Sequence, residues 1–139
     1  MSASDKQVGG GHYVGQKYQV WDFTTHSGFD PITHTAIKYA SRHRFKNGLE
    51  DIEKAIHCVE KLIEIFTDKT LRMGHVEVYS PTAAYVSKYI TENELDAIER
   101  SAVESVCMGS AYWNLNFTPY AYRQALYFLN LLRQNYTSK

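Results

Sequence analysis

The sequence predicts an all-α domain built on a helical hairpin, and three observations carry that reading. Asp30-Pro31 is a helix start, because Asp accepts from the first free amides and Pro is pre-set for the first turn. Ile52, Ala55, Ile56, Val59, Leu62, Ile63 and Phe66 recur at helical spacing. Asn47-Gly48 lies between these two signals and leaves room only for a tight reversal. About five helices are expected, with at most one small β element.

The elements follow in chain order. Residues 1–11 end in Gly9-Gly10-Gly11 and are expected to be flexible, since consecutive glycines offer nothing to pack. The domain proper is expected over 12–139. Tyr18 to His26 carries Tyr18, Val20, Trp21 and Phe23, whose spacing fits a short helix or a strand, and Gly28 breaks it. A helix is predicted over about 31–46, ended by Asn47-Gly48, and a second over about 49–67. Together they form an antiparallel hairpin. Asp68 to Tyr79 is a connection in which His75 to Tyr79 can form a short strand. Ser80-Pro81 opens a short helix to about Ile90. Thr91 with Glu94 three residues on fits a capping box for a helix to about Met108, closed by Gly109. Thr118-Pro119 starts a last helix to about Tyr136. Its segment Ala125 to Leu132 is apolar nearly all round, so a homo-oligomer is expected.

Composition narrows the function classes. The chain has 139 residues, 44% hydrophobic and 22% charged, which fits one globular domain with its own core. Lys plus Arg equals Asp plus Glu, so a long nucleic acid is not the expected partner. A small anion needs only two or three local cations. Cys58 and Cys107 are too few for a disulfide framework and sit in helical patterns, as buried thiols in a reducing compartment do. No signal peptide or membrane-spanning run is visible, so the cytoplasm is expected and a membrane partner is not.

The stretch from Thr35 to Lys46 is the richest in chemistry. His34, Lys38 and Arg42 are four apart and share a helix face. Arg forks to phosphate oxygens and aromatic rings stack on bases, so the face suits a nucleotide. A solvated basic face pairing with the Glu-rich side of the next helix is the plainer alternative. Asn114 and Asn116 could read a base edge, and Arg123 lies one turn into the last helix. No P-loop is present and the six histidines lack metal-ligand spacing with cysteine, so neither cofactor nor metal is expected. Glu50 and Glu53 supply only half of a magnesium-binding carboxylate set.

Residues 10–65 resemble a small phage protein family that also forms the C-terminal part of the nucleotide kinase of T7-like coliphages. The matching pattern is His12-Tyr13, the Val20-Trp21-Asp22-Phe23 segment, Ile37-Lys38-Tyr39 with Arg42, then Lys46, and Asp51 with Lys54-Ala55. The family's Gly-Asn pair before the aliphatic-Lys-Tyr stretch is replaced here by His34-Thr35-Ala36. The resemblance implies a viral protein acting in a bacterial host, with a nucleotide site at His12, Tyr13, Trp21, Lys38, Tyr39, Arg42, Lys46 and Lys54, and the shared helix face adds His34 to it. Sequestration of a small, cyclic or linear signalling nucleotide against bacterial defence, without catalysis, is the function expected. A P-loop-free nucleoside monophosphate kinase is the alternative, and a metal-dependent nucleotide hydrolase the weaker one.

Overall fold

The computed structural model describes residues 18–68, 82–112 and 115–138. These hold six α-helices and no strand: α1 Val20–Ser27, α2 Pro31–Arg42, α3 Leu49–Thr67, α4 Thr82–Glu92, α5 Ala97–Ala111 and α6 Phe117–Thr137. The all-α expectation stands, but the helix number is six rather than five, because Val20–Ser27 is itself helical. The short strand expected at 75–79 and the helix start at Ser80-Pro81 lie outside the described residues. No described helix is long and apolar enough to cross a membrane.

Local chemistry explains most helix ends. Gly28, at φ +73°, closes α1 in a left-handed cap whose amides bond back to Thr25 and, from Phe29, to Thr24. Asp30 starts α2 by accepting from the amides of Ile32 and Thr33, each at 2.9 Å. α2 stops at Arg42, and His43–Phe45 tightens into a 3-10 turn before Gly48, at φ +53°, opens α3. The ring of Tyr136 lies 3.3 Å from where a Gly48 Cβ would be, so both the backbone and the close approach favour glycine there.

Four expected boundaries are corrected: the helix expected to about 46 ends at Arg42, Gly109 does not close α5, which runs on to Ala111, and two helix starts differ. The capping box is not Thr91 with Glu94: Thr91 lies within α4, and Asp96 with Glu99 forms the box that starts α5. Thr118 does not cap the last helix either. Its hydroxyl bonds back to the carbonyls of Gly109 and Tyr112, so it seals the end of α5.

Four helices close a ring: α2 packs on α3, α3 on α6, α6 on α5, and α5 on α2. Neighbours run antiparallel. Thr33 at the start of α2 meets Ser110 at the end of α5, while His43 after α2 meets Glu99 at the start of α5. Ile37, Ile52, Val59, Val103, Ala125 and Leu129 fill the centre. α1 and α4 pack on each other and cover one side, with Phe23 stacked on Tyr89 at 4.6 Å between centroids.

The α5–α6 contact depends on a missing side chain. A Cβ on Gly109 would stand 2.8 Å from Cε1 of Tyr122, a fully buried ring whose hydroxyl is held by Ser110. Gly109→Ala gains about 1 kcal/mol of helix propensity. It adds an overpacking penalty of about 1–3 kcal/mol because the anchored ring has little room to yield. A net loss of stability is expected in urea unfolding, and a stabilised variant would contradict this packing.

Candidate functional site

The basic face of α2 does assemble with α3, around one ring. Lys38 Nζ stands 4.7 Å from the Tyr39 centroid, Arg42 Cζ 4.6 Å and Lys54 Nζ 5.3 Å. The α2–α3 hairpin brings them together, since Lys54 lies one turn into α3 opposite the last turns of α2. A tyrosine face attracts cations through its quadrupole, so the ring gathers charges that would otherwise repel.

The three cations differ in what they have left to offer. Arg42 is only 8% exposed and is bound to Asp51 through both Nε and Nη2, each at 3.2 Å. Asp51 is fully buried and also accepts from the amide of Asn47. Arg42 is therefore committed to the fold, not to solvent. Lys54 pairs with Glu50 at 3.1 Å, and that hydrogen bond raises its pKa. Both atoms are well exposed, so a competing anion can displace this contact at little cost. Lys38 makes no ion pair among the described residues. Burial, and then the neighbouring Arg42, lower its pKa. An unneutralised ammonium beside other cations is what an incoming anion stabilises.

His34 lies one turn before Lys38 on the same face. Thr24 gives its only proton to the carbonyl of Val20 at 2.8 Å, so it must accept from His34, which fixes the ring proton on Nδ1. Nε2 is the remaining polar edge. Burial and then Lys38 lower the pKa of this ring, which favours its neutral form. The same hydrogen bond ties α1 to α2 beside Trp21, which sits one turn before Thr24 and is 67% exposed. Cys58 is half-buried. Burial raises its pKa while Lys38 opposes the shift, so the thiol is a poor nucleophile.

Other expected site residues are not part of this group. His12, Tyr13 and Asn114 lie outside the described residues. Lys46 is exposed in the joint beyond the 3-10 turn and is not one of the cations at the Tyr39 ring. Arg44 points to the other side, where its Nε meets Glu99 at 3.0 Å. Asn116 occupies the cap position of α6 and Arg123 is exposed, nearly two turns into that helix. Among the described residues no group of three His, Cys, Asp or Glu is placed to hold a metal ion.

A second polar cluster escaped sequence reasoning. Glu99, fully buried, accepts from His43 Nε2 and from Arg44, while its other oxygen accepts from the amide of Asp96. A carboxylate can only accept, so Nε2 carries the proton and, in the neutral ring, Nδ1 accepts from the Tyr136 hydroxyl at 2.6 Å. Three helix ends are joined by this chain of bonds. Asp96 and Glu99 have the spacing of a capping box, but nothing local marks the partner of Glu99 56 residues away at His43 or, beyond it, Tyr136. Comparison with protein-family models, with curated proteins and with solved structures returns no match to this chain.

Proposed function

We propose that the α2–α3 face binds a small phosphorylated nucleotide and holds it without transforming it. The observation that carries this reading is the cluster of Lys38, Arg42 and Lys54 on the Tyr39 ring, with Lys38 lacking an ion-pair partner among the described residues. Lys38 and the displaceable Lys54 take the phosphates, while Arg42 fixes the ring that supports them. The cations already occupy the surroundings of Tyr39, so base stacking falls to the exposed Trp21. His34 Nε2 adds a polar contact. The ligand in this reading is a signalling nucleotide of bacterial defence, sequestered in the host cytoplasm by a viral homo-oligomer.

The reading without catalysis is supported by how the acids are used. Phosphoryl transfer needs carboxylates free to hold magnesium between the phosphates. Asp51 neutralises the buried Arg42, and Glu50, released when Lys54 turns to the phosphates, is a single carboxylate and not a metal-holding pair. The test is incubation with a nucleotide panel, then denaturation and chromatography of what is released. Intact release supports sequestration. Turnover of ATP with a nucleoside monophosphate would replace it with the kinase reading. Lys38→Ala is expected to weaken binding by about tenfold or more at unchanged melting temperature, because it removes a charge-assisted contact without unpairing a buried group. Unchanged affinity by calorimetry would remove Lys38 from the site.

A further inference from the structure

Helix α6 has two faces of different chemistry. Ala121, Tyr122, Ala125, Leu129 and Leu132 are buried against α3 and α5. On the opposite side Tyr120, Gln124, Tyr127, Leu131 and Gln134 recur at alternating steps of four and three residues. That spacing lines up a single seam for a facing helix. Tyr120 and Tyr127 remain exposed, as do Tyr112 and Leu115 in the joint leading into α6, with values between 51% and 72%.

Area argues for an occupant. A tyrosine more than half exposed leaves about 100 Å² in water, so these four expose roughly 400 Å². The partly exposed Gln124 and Leu131 and the exposed Gln134 extend the face toward the roughly 800 Å² per partner of a stable interface. Its apolar part alone falls within the roughly 300–600 Å² of the largest patch on a typical monomer, a size that often marks a functional face.

Charge selects which occupant. α6 contains no Asp, Glu or Lys, and every residue of the seam is uncharged. Arg123 stands at its edge. Across a two-fold axis a surface meets itself, so a seam charged with one sign would oppose itself. This one does not. An acidic partner would find only an edge arginine to recognise.

We propose that this face pairs with the same face of a second copy, antiparallel, about a two-fold axis passing near Tyr127. Tyr127 then stacks on its own counterpart, Tyr120 reaches Gln134, and Gln124 reaches Leu131. The seam from Tyr120 to Gln134 is about 21 Å long, and Arg123 lies at the rim. This pairing is independent of the nucleotide reading.

Light scattering of the full chain at micromolar concentration is expected to give twice the 16.0 kDa chain mass. Tyr127→Lys opposes two ammonium groups on the axis. It is expected to weaken association by about a hundredfold or more, leaving a monomer with an unchanged far-ultraviolet helical spectrum. In a Cys58→Ser background, Tyr127→Cys is expected to oxidise to a disulfide-linked dimer, while Glu60→Cys on the exposed face of α3 stays unlinked. Should Tyr127→Lys unfold, the cysteine pair decides. A monomeric parent, a dimer that survives Tyr127→Lys, or equal cross-linking at positions 60 and 127 would each overturn the proposal.

Discussion

Glu99→Ala is expected to destabilise the fold by about 3–5 kcal/mol, a large part of the roughly 5–15 kcal/mol that holds a domain of this kind together. The carboxylate is fully buried, and one side chain serves three donors. Its loss strands the buried Nε2–H of His43 and removes half of the capping box of α5. Arg44, about a third exposed, can turn to water and contributes less. The hydroxyl of Tyr136 then hangs on an imidazole that nothing orients, and the end of α6 loosens with it. Glu99→Gln is expected to cost less, because the amide oxygen can still accept from His43. Urea unfolding followed by far-ultraviolet circular dichroism measures both. A Glu99→Ala midpoint within experimental error of the parent would show that the cluster is not a structural tie.

Asp51→Ala is expected to cost a similar 3–5 kcal/mol, and it should also weaken ligand binding. The variant leaves the guanidinium of Arg42 buried without its counter-charge and removes the acceptor of the Asn47 amide. Arg42 also packs over Tyr39, so the cation cluster loses its fixed support. The converse variant, Arg42→Ala, should be destabilising as well, since it strands a fully buried carboxylate. Stability and binding can be separated by replacing the pair together. Arg42→Met with Asp51→Leu is expected to restore most of the stability, because a buried ion pair exchanged for apolar groups of similar volume is often neutral. Binding should stay weak. Thermal melting with calorimetry on the same samples reads both quantities. A double variant that bound as tightly as the parent would place the ligand away from Arg42.

These expectations could not have been ranked from the sequence. Lys38, Arg42 and Arg44 stand in one basic stretch, and spacing treats them alike. Their environments differ because Arg42 meets the start of α3 and Arg44 the start of α5, while Lys38 meets neither. The plainer sequence reading, a basic face paired with acids of the next helix, holds for Arg42, which meets Asp51 of α3; Lys54 belongs to α3 itself and pairs there with Glu50. The nucleotide reading depends on Lys38.

What is local in this fold is legible in the residues themselves. The Asp30-Pro31 start, the Gly28 stop, the apolar stripe of α3 and the reversal at Gly48 are each written in a few neighbouring residues, because caps, left-handed glycines and 3.6-residue periodicity act over one or two turns. Competition between equivalent local signals was already undecidable: Thr91 with Glu94 and Asp96 with Glu99 both have the spacing of a capping box, and the packing of α4 chose the second. Tertiary structure alone decided which helix ends share a corner of the ring. That choice buried Glu99 beside His43 and Tyr136, spent Arg42 on Asp51, and left Lys38 and the outer face of α6 open. The physical reason is range. Hydrogen bonds and desolvated charges act across a few ångströms of space, and the chain distances they span leave no periodic trace in the sequence.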